Sequence, residues 1–88
     1  MIAVDIGNTK TAIGLFRSGL LSRKWKFATE THQTADHYRF LLQSCLQTVG
    51  ETLTSQESMI LCSVVPEVTR EWEKLEEEID MHVVSART

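Results

Sequence analysis

Eighty-eight residues, 42% of them hydrophobic, fill one compact domain with a modest core and exclude a chain of two domains. The net charge of −3 is spread without a basic patch, so nothing invites a long nucleic-acid footprint. No run approaches the roughly 18 apolar residues of a membrane helix, and the N-terminus lacks the cationic stretch and cleavage site of a secretory leader. Residues 1–7 are a short apolar run with β-branched Ile2, Val4 and Ile6, which predicts a buried strand. GNTK then turns the chain, and 11–16 predict a second strand. Arg17, Ser18 and Gly19 form a turn cluster, so the neighbouring strands pair antiparallel. In 20–29 the pattern alternates: Leu21, Trp25 and Phe27 share one face, Lys24 and Lys26 the other. That predicts a half-buried edge strand on which lysines discourage further pairing.

From Thr34 the period changes. Tyr38, Leu41, Leu42, Cys45, Leu46 and Val49 follow helical spacing, with Thr34 as N-cap, Asp36 in the first turn and Gly50 at the stop. MILCSVV (59–65) predicts a second central strand. Pro66 ends it and opens a helix whose stripe is Val68, Trp72, Leu75 and Ile79. The acidic run Glu71, Glu73, Glu76, Glu77, Glu78 and Asp80 forms the wet face of that helix, and MHVVSA (81–86) is the last strand. The order β-β-β-α-β-α-β predicts an α/β domain: a mixed five-stranded sheet, a meander in its first half and parallel neighbours in its second, with helices packed on it. Cys45 and Cys62 lie in apolar patterns and form no CxxC pair, so both are expected as buried free thiols, as in a reducing cytosol.

The chemistry concentrates in DIGNTKT (5–11). A parallel strand that ends in Asp5 delivers a carboxylate to the carboxyl edge of the sheet, where ligands bind in open α/β sheets. Gly7 lets a ligand approach the backbone, and Asn8 tolerates left-handed dihedrals. Thr9 and Thr11 add hydroxyls, and Lys10 adds a point charge. Donors and a cation suit phosphate oxygens, and a carboxylate suits Mg²⁺ or its waters. The segment has neither GxxxxGK[ST] nor GxGxxG, and it leads into a strand, so no helix dipole supports the anion. On these residues alone an ordinary hairpin turn and a phosphate grip both stand. Elsewhere the chemistry is thin. His32, His37 and His82 lack metal-ligand spacing. Trp25 and Tyr38 pattern as core, Cys62 as packing, and Ser63 as a small residue at a strand end.

Over its full length the chain resembles the N-terminal domain of bacterial type III pantothenate kinases, of the acetate-and-sugar-kinase/actin superfamily. The likeness is carried by DIGNTKT (5–11), GLF (14–16), Trp25 with Thr29, the Thr34/Asp36/Tyr38 helix start and SVVP (63–66). Sugar kinases of the superfamily commonly carry glycine where this chain has Asn8. The resemblance implies a ribonuclease H-like (actin-like ATPase) domain and ATP-dependent phosphorylation of pantothenate, the first step of coenzyme A biosynthesis, in the cytoplasm. It maps the first phosphate motif onto Asp5, Ile6, Gly7, Asn8, Thr9, Lys10, Thr11 and Ala12. Asp5 would orient Mg²⁺ through water. The turn amides and the Asn8, Thr9 and Thr11 side chains would hold phosphate oxygens, with Lys10 in support.

The resemblance also implies that residues 1–88 are the nucleotide-phosphate domain of a two-domain kinase, ending near the domain junction at Thr88. A second domain would supply the aspartate base, the pantothenate loop and the monovalent-cation (K⁺ or NH₄⁺) site, and the full-length enzyme would be a homodimer. No residue of this chain replaces that base: Asp36 is a first-turn helix residue. The chain would form one wall of a cleft, with an apolar face docked on the second domain and no turnover by itself. The other functional class open to this fold is a non-catalytic accessory or regulatory module that acts by protein–protein contact.

Overall fold

The computed structural model describes residues 1–86; the junction expected at Thr88 lies outside the described residues. The elements are β1 (Ile2–Ile6), β2 (Lys10–Arg17), β3 (Leu20–Ala28), α1 (Ala35–Gln47), β4 (Ser58–Ser63), α2 (Pro66–Glu73), α3 (Leu75–Glu78) and β5 (His82–Ala86). They build one five-stranded sheet in the order β3-β2-β1-β4-β5. β1–β2 and β2–β3 are antiparallel, whereas β1–β4 and β4–β5 are parallel. This is the expected mixed five-stranded sheet, a meander in its first half and parallel neighbours in its second. Its parallel strands β1, β4 and β5 send their carboxyl ends to one edge.

Strand alternation decides which face is core. Ile2, Val4 and Ile6 of β1, Thr11, Ile13 and Leu15 of β2, and Met59 and Leu61 of β4 are buried. The helices cover them with Tyr38, Leu42, Cys45 and Leu46 from α1, Val68 and Trp72 from α2, and Leu75 from α3. Trp72 is 0% exposed and stacks on Tyr38 with ring centroids 4.8 Å apart. The opposite face is open, and Leu21, Ile60 and Val84 stand exposed on it. The caps follow the sequence. The Thr34 hydroxyl accepts from the His37 amide at 3.4 Å, and Gly50, at φ 74°, lets the Glu51 amide return to the Leu46 carbonyl at 2.9 Å. The 17–20 hairpin turns through Ser18 (φ 53°) and Gly19 (φ 77°), the two positive dihedrals of a type I′ turn.

Four expectations need correction. Leu21 does not share the face of Trp25 and Phe27. The register shifts between Leu15 and Phe16, which pair with Arg23 and Leu21, so β3 carries one extra residue and Leu21 crosses to the Gly14 side. The helix expected from Pro66 through Ile79 is two pieces, because Lys74 interrupts it: its amide reaches back to both the Arg70 and Trp72 carbonyls, the tightened geometry of a helix end. Val68, Trp72 and Leu75 keep their inward stripe regardless. The acidic run is solvated only in part. Glu76, Glu77, Glu78 and Asp80 are exposed, but Glu71 accepts from the Ala35 amide at 3.2 Å and Glu73 from the Ser85 hydroxyl at 2.7 Å. Cys62 is only half-buried, because it falls on the open face of β4; Cys45 is buried, which pushes its thiol up.

The sheet edge opposite the carboxyl ends is closed by charge. Glu57, whose side chain is 10% exposed, meets the N-terminal ammonium at 2.8 Å and Arg17 at 2.7 Å, and Arg17 also binds Glu51. Burial alone would raise the Glu57 carboxyl, but hydrogen bonds from Arg17 and the terminal ammonium outweigh it and hold the carboxyl below the usual range. Its contribution is therefore complete above the ordinary value of 4.5 and is lost as pH falls through the lower folded value. Glu57→Gln is expected to lose about 1–3 kcal/mol at neutral pH. In urea melts the gap between the two proteins should close as pH falls from about 4.5 through the lower folded value; a gap constant with pH would refute the ion-pair account.

Candidate functional site at the hairpin of strands 1 and 2

Strand alternation sorts the DIGNTKT side chains. Ile6 is 1% exposed and belongs to the core; only its backbone is at the site, where its carbonyl accepts the Val64 amide at 3.1 Å. Asp5 points the other way, exposed on the open face. Its partners in register are Ala12 on β2 and Cys62 on β4, both small, so the carboxylate stands over a low floor. Asn8, Thr9 and Lys10 are exposed at the turn, and Gly7 is half-buried. Gly7 is tightly placed: a Cβ there would sit 3.1 Å from the Lys10 carbonyl oxygen. The structure thus brings Asp5, Gly7, Asn8, Thr9 and Lys10 together at one sheet edge and directs Ile6 and Thr11 into the domain.

The hydrogen bonds of the turn are asymmetric. The Gly7 amide donates to the Lys10 carbonyl at 2.9 Å, but the Gly7 carbonyl accepts the Thr29 hydroxyl at 2.8 Å. The Thr29 amide donates to the Thr9 carbonyl at 2.9 Å. Among the described residues nothing accepts from the backbone N–H of Asn8 or Thr9. Thr11 is 7% exposed, and its hydroxyl lies 2.8 Å from that of Thr29. Thr29 has one hydroxyl proton and donates it to Gly7, so Thr11 is the donor of this pair. The Thr11 hydroxyl expected on a phosphate is therefore turned inward; its contribution runs through Thr29.

The sequence alone gives Thr29 no role at the turn, because its partners lie 18 and 22 residues away. The available signal is the β2–β3 register: Lys10 opposite Ala28 sets Thr29 beside Thr9.

No group of three or more His, Cys, Asp or Glu able to hold a metal occurs among the described residues. Asp5 is a lone exposed carboxylate beside unpaired amides. That donor set fits Mg²⁺, which keeps several waters and takes one or two carboxylates together with substrate phosphates. It does not fit a caged transition metal. Beside the hairpin, a groove of about 440 Å³ opens at the carboxyl ends of β4 and β5, lined by Ser63, Val64, Arg70, Glu73 and Ser85 among others. Ser63 shapes its rim, because its hydroxyl oxygen accepts the Val65 amide at 3.0 Å. Beneath the hairpin a smaller cavity of about 120 Å³ lies between Thr11, Phe27, Tyr38 and Trp72. No helix among the described residues is long and apolar enough to cross a membrane.

The family described as type III pantothenate kinase matches residues 1–88. A type III pantothenate kinase of Syntrophotalea carbinolica is 35% identical over 75 residues, which cover 85% of this chain and 29% of that protein. One from Dehalococcoides mccartyi is 37% identical over 85% of this chain and 28% of its own length. One from Bacillus cytotoxicus is 32% identical over 77% and 26%. The chain thus spans less than a third of the length of these curated relatives. Among solved structures, the Aquifex aeolicus member of the Ppx/GppA protein family matches 98% of this chain and 34% of its own, with a TM-score of 0.46 and 13% identity.

Proposed function

Because this chain belongs to the type III pantothenate kinase family, we propose that it is the nucleotide-phosphate domain of a kinase that phosphorylates pantothenate with ATP. In this reading it acts at the first step of coenzyme A biosynthesis, in the cytoplasm. The observation that carries the reading is the turn itself: backbone amides without acceptors sit on an exposed hairpin next to the Asp5 carboxylate, at the edge where parallel strands end. Phosphoryl transfer asks little covalent chemistry of the protein; it asks for position and for donors aimed at phosphate oxygens.

The Asn8, Thr9 and Lys10 amides take the oxygens of the transferable end of ATP, and the Asn8 and Thr9 side chains add donors. Lys10 is exposed and contributes charge. Asp5 holds the waters of Mg²⁺, which when bound neutralises charge on the phosphates. Ile6 and Ala12 serve through their backbone positions in β1 and β2, and Thr11 through Thr29. A second domain, in the roughly two thirds of the relatives' length that this chain does not span, supplies the aspartate base, the pantothenate pocket and the monovalent-cation site. The full-length enzyme is a homodimer, and residues 1–88 alone do not turn over.

The test is a titration of the ¹⁵N-labelled 88-residue chain with Mg-ATP. Amide shifts are expected at Gly7 to Thr11, weak in affinity because half of the contacts are absent. Shifts confined to a remote surface would overturn the assignment.

A further inference from the structure

We infer that Thr29, at the end of the edge strand, is the positioning residue that aims the amides of the 7–10 turn outward; the inference rests on the phosphate-binding reading above. A two-residue hairpin that closes fully exchanges two bonds between its flanking residues, so the Gly7 carbonyl would accept the Lys10 amide. Here only the reverse bond forms, from the Gly7 amide to the Lys10 carbonyl. Thr29 occupies the Gly7 carbonyl with its hydroxyl at 2.8 Å and the Thr9 carbonyl with its own amide at 2.9 Å. In a planar trans peptide the C=O of one residue and the N–H of the next point in opposite directions. Drawing the Gly7 carbonyl to Thr29 therefore turns the Asn8 N–H away from β3, and drawing in the Thr9 carbonyl does the same for the Lys10 N–H. One side chain and one amide remove two acceptors from the anion's side, expose the Asn8 donor on it and leave the Lys10 N–H without the Gly7 carbonyl.

Thr29 is itself held. Thr11, buried in the core face of β2, donates to its hydroxyl at 2.8 Å. The next residue, Glu30, is tied through its carbonyl to the Tyr38 hydroxyl at 2.7 Å, and Tyr38 is 4% exposed and stacked on Trp72. The tether runs from the helical layer through the 29–30 backbone to the turn, so packing in the core sets the aim of the exposed amides.

The experiment compares the 88-residue chain with Thr29→Val and Thr29→Ser, at a temperature where all three are folded. Val keeps the shape and removes the hydroxyl; Ser restores it. In Mg-ATP titrations Thr29→Val is expected to bind about tenfold more weakly, the worth of a misaimed donor to a charged group, with the Asn8 and Lys10 shifts lost. Thr29→Ser should stay within about twofold of wild type. Hydrogen exchange supplies an arm that needs no ligand: the Lys10 amide should exchange more slowly in Thr29→Val, because it closes onto the freed Gly7 carbonyl. A variant that melts earlier yet binds Mg-ATP as tightly as wild type overturns the positioning role. A wild-type hairpin that ignores Mg-ATP overturns the phosphate reading instead, and the exchange arm then still decides whether Thr29 aims the turn. Should Thr29→Val fail to fold, Tyr38→Phe loosens the same tether while keeping the ring stack. It should weaken Mg-ATP binding about threefold, one partly compensated hydrogen bond; undiminished binding there overturns the inference equally.

Discussion

Trp72→Ala should leave most of the chain unfolded at 37 °C. The side chain is 0% exposed, stacks on Tyr38 at an interplanar angle of 19°, and adjoins Val68 and Leu75 in the inward stripe of α2 and α3. Truncating a buried tryptophan costs about 3–5 kcal/mol, because the lost contacts leave a void that the neighbours fill incompletely. A small domain has about 5–15 kcal/mol in total at most, and at this size each 1 kcal/mol moves the melting midpoint by about 4–8 °C. The existing cavity of about 120 Å³ already borders the ring, so the void would enlarge an underpacked region. Trp72→Phe separates packing from polarity. Trp72 Nε1 is buried with no hydrogen-bond partner among the described residues, so the smaller aromatic also removes an unsatisfied donor, and its loss should stay under about 2 kcal/mol. Circular-dichroism melts of the two variants measure the contrast; equal midpoints would mean that the ring is not the keystone of the helical layer. Because Tyr38 lies between Trp72 and Glu30, Trp72→Phe should also loosen the hairpin tether before it unfolds the domain.

Most of the fold was legible because its signals are periodic. Ile2, Val4 and Ile6 alternate, Tyr38 to Leu46 step by three and four, and Pro66 marks the change from strand to helix. What escaped depends on single residues rather than on period. The extra residue in β3 that flips Leu21 follows from a register shift opposite Leu15 and Phe16, which alternation along one strand does not encode. The break at Lys74 interrupts no apolar spacing, since Trp72 and Leu75 stay buried on both sides of it. The site divides in the same way. Asp5 at a strand end and GNT at a turn announce themselves through composition, and the resemblance to pantothenate kinases rests on the same letters. Which of those side chains faces outward is a matter of parity and of tertiary partners. Thr9 and Thr11 look equivalent in the sequence, yet one is exposed and the other is 7% exposed and bonded to Thr29.

Asp5→Asn should have opposite effects on nucleotide binding without and with Mg²⁺. Asp5 is an exposed carboxylate on the face beside the turn whose Asn8 and Thr9 amides have no acceptor among the described residues. Without Mg²⁺ it repels a polyanion. At the effective dielectric near a protein surface, two unit charges about 4 Å apart interact by up to about 4 kcal/mol, and by about 1 kcal/mol in bulk water. Removing the charge should therefore strengthen metal-free ATP binding by about fivefold or more. If Asp5 holds the waters of Mg²⁺ as proposed, its loss should weaken Mg-ATP binding by about tenfold. The two titration curves of the variant should converge, whereas those of the wild type should lie apart with Mg-ATP the tighter. Folding should be unaffected, because Asp5 sits over Ala12 and Cys62 and takes part in no ion pair among the described residues. The opposite signs are diagnostic, because a mere loss of packing weakens both titrations together. A variant that binds ATP more weakly with and without Mg²⁺ would place Asp5 in the scaffold of the hairpin and would leave the metal to residues outside it.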